Sequence, residues 1–535
     1  MRTPKKLPEG IRLLKIKEWT NKHENFTQDL KKNASFKLTW PSSKKTNAEK
    51  YHATTKNFQW LIKYAIKNKI RLRAMGSGWS FSKVGVTEGG IVDTKSLRLA
   101  FGMKKDKVAQ KYLDSGNSPK NLFLVQCGMS MLQLNKKMER GSLKRSLKAS
   151  GASNGQTIVG AMSTGTHGSA FKVGAVQDFV VGLHIVTGPD RHVWIERKSY
   201  PVTNQAFADW IGAEVIRDDA IFNSALVSFG SFGFIHGVMI ETEPIFLLEK
   251  FNLKFSYDDQ LKSIMDTCDL TQMQKIIPSY IKSDINDLYH FQVIFNPHNM
   301  SGKKMYVGLM YKGPYDSDYV HENKMPEGFT YGDSLTGVIQ TIIDAAGGVI
   351  RPLIPRLTTL FFGQAYKQVE RKKGKFATVG DMFGATNTRG TLASMAVAVD
   401  AADCTKVLKL MLDFNKKCPF PGGLGVRYLK GTKATLGFTK FDLSCVIELD
   451  GLDCDIAREF YEDFYKILEK EKINFTLHWG KFNYMLNRGR VRKMYGGRRM
   501  NTWIRSRHAL LDQDTREVFA NEFIEKCGLH IGAIA

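Results

Sequence analysis

The sequence predicts an α+β protein of two domains, and three observations lead there. The chain has 535 residues, 43% of them hydrophobic and 11% aromatic, enough to bury two cores. Its first part alternates helical and strand patterns around two glycine-rich runs, Gly76–Ser82 and Gly160–Ser169. Near residue 245 the character changes, and longer alternating strands and two amphipathic helices follow.

Residues 1–40 read as a polar, basic N-terminal extension ending at Trp40-Pro41. Phe58, Leu61, Ile62, Ala65 and Ile66 fall on one helical face, which predicts a helix over 57–69 with Thr54 or Thr55 as its cap. Ile70–Met75 alternates as a strand and runs into Gly76-Ser77-Gly78-Trp79-Ser80-Phe81-Ser82. A strand ending in Gly-x-Gly suits a phosphate loop, because glycine has no Cβ to hold a ligand away. It is not the GxGxxG dinucleotide pattern, whose third glycine and directly following helix are missing. Strands at 90–94 and 121–127 and a helix at 131–140 come next. The run Ala149–Ser169 contains no Asp, Glu or Arg. Free N–H groups in such a loop form a concave anion site, to which Ser77, Ser80, Ser163, Thr164 and Thr166 can add hydroxyl donors. Val180–Thr187 and Arg191–Glu196 flank Gly188-Pro189-Asp190 as a hairpin. Beyond Pro244, strands are expected at 246–255, 289–296 and 304–311, and helices at 404–414 and 455–470. Gly347–Phe362 reads as a lid or surface helix.

Composition narrows the function classes. Seven dispersed cysteines, without CxxC or zinc spacing, read as reduced thiols, and no metal site is expected. The N-terminus lacks the apolar core of a signal peptide. Ser228, Gly230, Ser231, Gly233 and His236 interrupt the apolar stretch Ala225–Ile240, so a cytoplasmic protein is expected. Net charge is +26, but the lysines are spread and no nucleic-acid-reading pattern accompanies them. No specific nucleic-acid partner is expected; the charge reads as solvated surface open to peripheral contact with an anionic surface.

Four ordered motifs then carry a resemblance. MGSGWSFSKVGVTEGGIVDT, GQTIVGAMSTGTHGSAFKVGAVQDFVVGLHIVTGPD, the late segment Val227–Glu241 and Leu477-His478-Trp479-Gly480-Lys481 together resemble the vanillyl-alcohol oxidase (PCMH-type FAD-binding) superfamily, in its aldonolactone and alditol oxidase branch. The resemblance implies a two-subdomain FAD-binding domain over 41–245. A substrate or cap domain over 246–475, an antiparallel sheet flanked by helices, would follow, and 476–535 would return to the first domain. It implies FAD held by Gly76, Ser77, Gly78, Trp79, Ser80, Phe81, Gly160, Ser163, Thr164, Gly165, Thr166, His167, Gly168, Ser169, Ile235 and Lys481. Lys481 carries over onto the branch's HWxK lysine near the flavin ring, with His478 beside it. Arg427 carries over onto a Glu-x-Arg pair whose Glu position here is Gly425. Many members carry a covalently linked His where this chain has Trp79, and the second loop has no Cys, so non-covalent FAD is expected. Gln292, Tyr311 and Asn387 are further substrate-side candidates.

The implied function is oxidation of a CH–OH group in a sugar, polyol or lactone-type alcohol. A hydride would pass to flavin N5, and the electrons to O2 or another acceptor. The missing carboxylate at Gly425 opens two alternatives: oxidation of a more hydrophobic alcohol such as a sterol, or a basic binding protein on a flavoenzyme scaffold that has lost catalysis.

Overall fold

The computed structural model describes residues 6–151, 154–322, 347–365, 373–384 and 391–530. Asn387 lies outside them.

Helix Asn47–Asn68 starts well before the hydrophobic period suggests. Its cap is Thr46, whose hydroxyl accepts from Glu49 N while the Glu49 carboxylate accepts from Thr46 N. Thr54 and Thr55, the expected caps, sit inside the helix and return their hydroxyls to the Lys50 and Tyr51 carbonyls. The polar opening turns hid this start.

The helix lies between two sheets. One has four strands in the order Ile11–Leu14, Ser35–Leu38, Gly90–Asp93, Leu72–Met75, the last two pairings parallel. The segment expected as an extension therefore supplies two of its strands. The other has six strands, with Val180–Val186 at its centre between His192–Glu196 and Phe234–Glu241. The Val180–Val186 and His192–Glu196 pair is the antiparallel hairpin expected at Gly188-Pro189-Asp190. Inside the second glycine run, where a loop is expected, Ile158–Thr164 forms a short helix capped by Thr157. Ile158, Ala161 and Met162 bury its inner side, and Gly165, at φ +83°, ends it in the left-handed region.

Beyond residue 245 lies an eight-stranded antiparallel sheet. From the edge strand Lys375–Ala377 it passes through Phe246–Phe255, Met305–Pro314, Leu288–Phe295, Gly422–Lys430, Leu443–Leu452 and Leu392–Asp400 to Phe475–Leu477 at the other edge. Helices Cys404–Lys417 and Asp455–Lys470 cover it. The stretch 347–362 is a 3₁₀ turn followed by helix Ile354–Ala365, and a Cβ at Gly423 would collide with its Phe362 ring.

After strand Phe475–Leu477 the chain returns. Helix Arg488–Leu510, broken at Gly496 (φ +75°), packs on helix Asp219–Leu226, and helix Gln513–Val518 packs on Asn47–Asn68. One continuous apolar core runs through all these parts. No described helix is long and apolar enough to cross a membrane, and the cysteines are free thiols.

Candidate functional site

A cleft of about 1520 Å³, open mouth included, runs from the first glycine loop to the eight-stranded sheet. Gly76, Ser77, Gly78, Trp79, Ser80 and Phe81 line it, as do Gly160, Ser163, Thr164, Thr166, His167, Ile235, Arg427, His478 and Lys481. Gly165, Gly168 and Ser169, expected to hold the cofactor, are not in its wall. Gly165 backs onto Phe438, and Gly168 onto the Ser150 carbonyl. Ser169 is spent on the sheet: its hydroxyl donates to the Phe291 carbonyl and accepts from Tyr428 N at 2.9 Å.

The first loop is glycine for steric reasons. A Cβ at Gly76 would collide with the Thr157 side chain, and one at Gly78, where φ is +69°, with the Trp19 ring. The C-terminal segment holds this loop in place. Phe81 N donates to the Gly480 carbonyl at 2.8 Å, the Ser82 hydroxyl to the Trp479 carbonyl at 2.8 Å, and the Tyr484 hydroxyl to the Phe81 carbonyl at 3.0 Å. Thus the LHWGK segment meets the glycine loop even though the two are far apart in sequence.

Strand register brings the polar centre together. Gly425 lies opposite Glu448 and Gln292 opposite Arg427. The Glu448 carboxylate is ion-paired to Arg427 Nη1 at 2.7 Å and to Lys481 Nζ, and its side chain is only 2% exposed. His167 Nε2 lies 3.7 Å from the same carboxylate, and its Nδ1 faces the Gly168 carbonyl at 3.0 Å. Burial alone would raise the Glu448 carboxyl, but Arg427 and then Lys481 outweigh it and hold it well below the ordinary carboxylate range. Burial drives His167 down to about 4, with Arg427 and Lys481 adding to the effect, so its ring is neutral. His478, pushed well below its usual value by burial, is neutral too; its Nδ1 accepts from Gly480 N at 2.9 Å and braces the turn that presents Lys481. Glu448, the residue the sequence did not single out, is the one carboxylate among the lining residues. It is the buried one of two carboxylates in the otherwise apolar strand Leu443–Leu452, and the other, the half-exposed Asp450, lies 3.6 Å from Lys481 Nζ. Trp19, His23, Phe26, Gln156 and Phe229 complete the wall unforeseen. Tyr311 is buried in the sheet and is not among the lining residues.

The cleft is built for a ligand that brings its own polar groups. The Ser163 hydroxyl and Gln156 Oε1, both in its wall, are buried without a hydrogen-bond partner among the described residues. Such orphans are costly unless a ligand satisfies them. With one carboxylate, already neutralised, and two cations, the wall favours an anionic occupant such as a diphosphate.

The glycine-loop part of the cleft belongs to an FAD-binding domain. Residues 51–195 match the model of the FAD binding domain, and the chain carries an FAD-binding domain of the PCMH type. Among curated proteins, the chain is 27% identical over 213 residues to L-gulono-1,4-lactone dehydrogenase of Mycobacterium tuberculosis, covering 39% of this chain and 40% of that one. It is 27% identical over 202 residues to D-arabinono-1,4-lactone oxidase of Saccharomyces cerevisiae, covering 38% and 33%. The matches thus span less than half the length of these relatives. Among solved structures, cholesterol oxidase from Brevibacterium sterolicum superposes with a TM-score of 0.68 at 14% identity, covering 98% of this chain and 99% of that one. A chitooligosaccharide oxidase gives 0.56 at 12% identity, covering 92% of each. At these identities the structural likeness is one of fold.

Proposed function

We propose that the protein is an FAD-dependent oxidoreductase acting on a CH–OH group. The observation that carries this reading is the Arg427–Glu448–Lys481 triad set in the wall of a cleft otherwise built from glycine loops. Residues from strand Ile11–Leu14 to 245, together with 476–535, form the cofactor unit in this reading, and 246–475 the substrate unit. Bound FAD would supply the acceptor for two electrons and the hydrogen on the alcohol carbon. Backbone N–H groups of Gly76–Ser80, with the Ser163 hydroxyl and Thr166, would hold its diphosphate, Phe81 and Trp79 would flank it, and Ile235 would pack on an apolar part of the cofactor.

Attachment is non-covalent in this reading. Trp79 has no imidazole nitrogen to form the link, and burial pushes the wall thiol of Cys127 up to about 12, which keeps it protonated and unreactive.

Arg427 and Lys481 set two positive charges against the buried Glu448, with Asp450 3.6 Å from Lys481 at the exposed edge, and the two cations suit an alcohol oxygen as negative charge develops on it. Arg427 and Lys481 polarise that oxygen, Glu448 holds the two cations in place, and the hydroxyl proton leaves to water as the C–H bond breaks. His478 keeps the Lys481 turn in position. Two substrate classes fit. The lactone relatives favour a sugar, polyol or lactone-type alcohol. An apolar alcohol such as a sterol is the second class, since Gly425 offers no side chain to a sugar hydroxyl and the Phe362 ring covers neighbouring Gly423.

An absorption spectrum before and after acid precipitation tests the reading, followed by anaerobic addition of aldonolactones, polyols and a sterol. Flavin bands, yellow colour released to the supernatant and bleaching by one of these alcohols are expected. A colourless protein that takes up no added FAD would overturn it in favour of the basic binding protein.

A further inference from the structure

The kinked helix Arg488–Leu510 presents an outer face that the site described above does not use. Arg488, Arg492, Lys493, Arg498, Arg499 and Arg505 are exposed. Among the described residues only Lys493 of these six has an ion pair, to Glu469 at 3.4 Å. The positive field is felt nearby: burial first, then Arg499, brings the Lys440 ammonium down to about 8. At the centre of the face the helix breaks at Gly496-Gly497. Both lack a side chain, and a Cβ at Gly496 would meet nothing within 4 Å. Directly before this bare spot comes Tyr495, buried beneath it.

Tyr495 is one end of a line of rings that reaches the cleft. It stacks on Trp479 with ring centres 5.6 Å apart and planes at 11°. Trp479 in turn lies 4.5 Å, centre to centre, from Phe229, which lines the cleft. Trp479 also sits between His478 and Gly480, both of them wall residues.

We propose that the Gly496-Gly497 break, ringed by arginines, is the docking port for an acidic one-electron carrier protein, and that Trp479 and Tyr495 bridge the cleft to it. The proposal rests on the oxidoreductase reading and names its electron acceptor. Guanidinium groups fixed on a helix favour carboxylates presented on a partner surface, and such steering raises association rates at low salt. The missing side chains at 496 and 497 let the partner's redox group come close to Tyr495. The balance is one alcohol and two oxidised carriers giving one carbonyl product, two carriers each reduced by one electron, and two protons released to solvent. Nucleic acid fits this face less well, because no aromatic ring is exposed between the arginines to stack on bases.

The test uses the holoenzyme with its flavin photoreduced, so that no alcohol substrate is needed, and plastocyanin as the acidic carrier. Cadmium-substituted plastocyanin, which cannot take an electron, is titrated by calorimetry; copper plastocyanin is mixed in stopped flow. In the triple variant R492E/R498E/R499E, affinity and reduction rate should each fall roughly ten-fold or more, with a flattened salt dependence, while reoxidation by a small neutral quinone stays unchanged. Tyr495→Leu should slow plastocyanin reduction and leave its affinity intact. Equal affinity for wild type and triple variant would overturn the proposal, as would equally tight binding of basic cytochrome c. Phosphatidylserine vesicles or RNA bound by wild type and lost in the variant, with plastocyanin not bound at all, would overturn it in favour of that partner. A protein without FAD fails the oxidoreductase reading instead, and the calorimetric arm still reads the docking face.

Discussion

Replacing Glu448 by Gln tests the polar centre most directly. The substitution keeps the volume and removes the charge that Arg427 and Lys481 share. The Glu448 side chain is 2% exposed, Arg427 14% and Lys481 16%, so Arg427 loses its counter-charge in a largely dry site, while Lys481 keeps only the half-exposed Asp450 at 3.6 Å. Deleting one partner of a buried pair costs ~3–5 kcal/mol, and the residual exposure of the cations places this loss near the lower end, about 3 kcal/mol. The pH dependence follows from linkage. The folded-state pKa of Glu448 lies below its ordinary value of 4.5, so the ion pairs contribute fully above that pH, and the contribution is lost as pH falls below it toward the folded value. Urea unfolding of the apoprotein should therefore show a constant gap between wild type and E448Q from pH 8 to 6, closing below pH 4.5. In the holoenzyme, anaerobic flavin bleaching by substrate should slow by ~10²–10³-fold, because the cations that polarise the alcohol oxygen lose the carboxylate that positions them. A variant as stable as wild type from pH 8 to 4, with an unchanged bleaching rate, would refute both the electrostatic and the catalytic argument.

Other consequences are equally open to measurement. Lys481→Met should slow flavin reduction by ~10²–10³-fold with modest change in substrate affinity, read by single-turnover absorbance. A Cβ at Gly425 would lie 3.6 Å from Glu448 Oε2, an ordinary contact, so Gly425→Glu combined with Glu448→Ala should recover much of the reduction rate lost in Glu448→Ala alone. Gly76→Ala should weaken FAD retention by roughly ten-fold or more, seen as colour lost on gel filtration, because the loop must shift off Thr157 to admit a methyl group. Trp479→Ala should destabilise the apoprotein by ~3–5 kcal/mol in urea unfolding, since the indole is fully buried and its Nε1 donates to the Leu436 carbonyl at 2.7 Å.

Strong local periodicity made much of the fold legible. Strand Phe246–Phe255 and helix Asp455–Lys470 appear as their alternation and apolar spacing predict. Helix Asn47–Asn68 was half hidden, because its start depends on the Thr46–Glu49 capping box and not on an apolar stripe. Helix Ile158–Thr164 was hidden because seven residues are too few to show a period and the run carries glycine. At the site, Arg427, His478 and Lys481 could be placed one at a time, but their convergence could not. Which residue faces Gly425 is a matter of strand register, set by pairing between Gly422–Lys430 and Leu443–Leu452, and the chain's linear order does not show it. Hence a carboxylate that looked missing from one strand is supplied by its neighbour. In the same way, Trp19, His23 and Phe26 reach the cleft only because the first strands close the small sheet beside the glycine loop.

The three hydrogen bonds that tie Phe81 and Ser82 to Trp479, Gly480 and Tyr484 also set an order of events during synthesis. A ribosome adding ~5–20 residues per second needs tens of seconds to travel from one side of this seam to the other. Throughout that interval the nascent glycine loop has no lid. The dinucleotide pocket is therefore finished late, after the large sheet encoded between the two seam segments has been made. Saturating the growth medium with riboflavin should do little for the partly made chain, whereas supplying FAD to the released apoprotein should complete it.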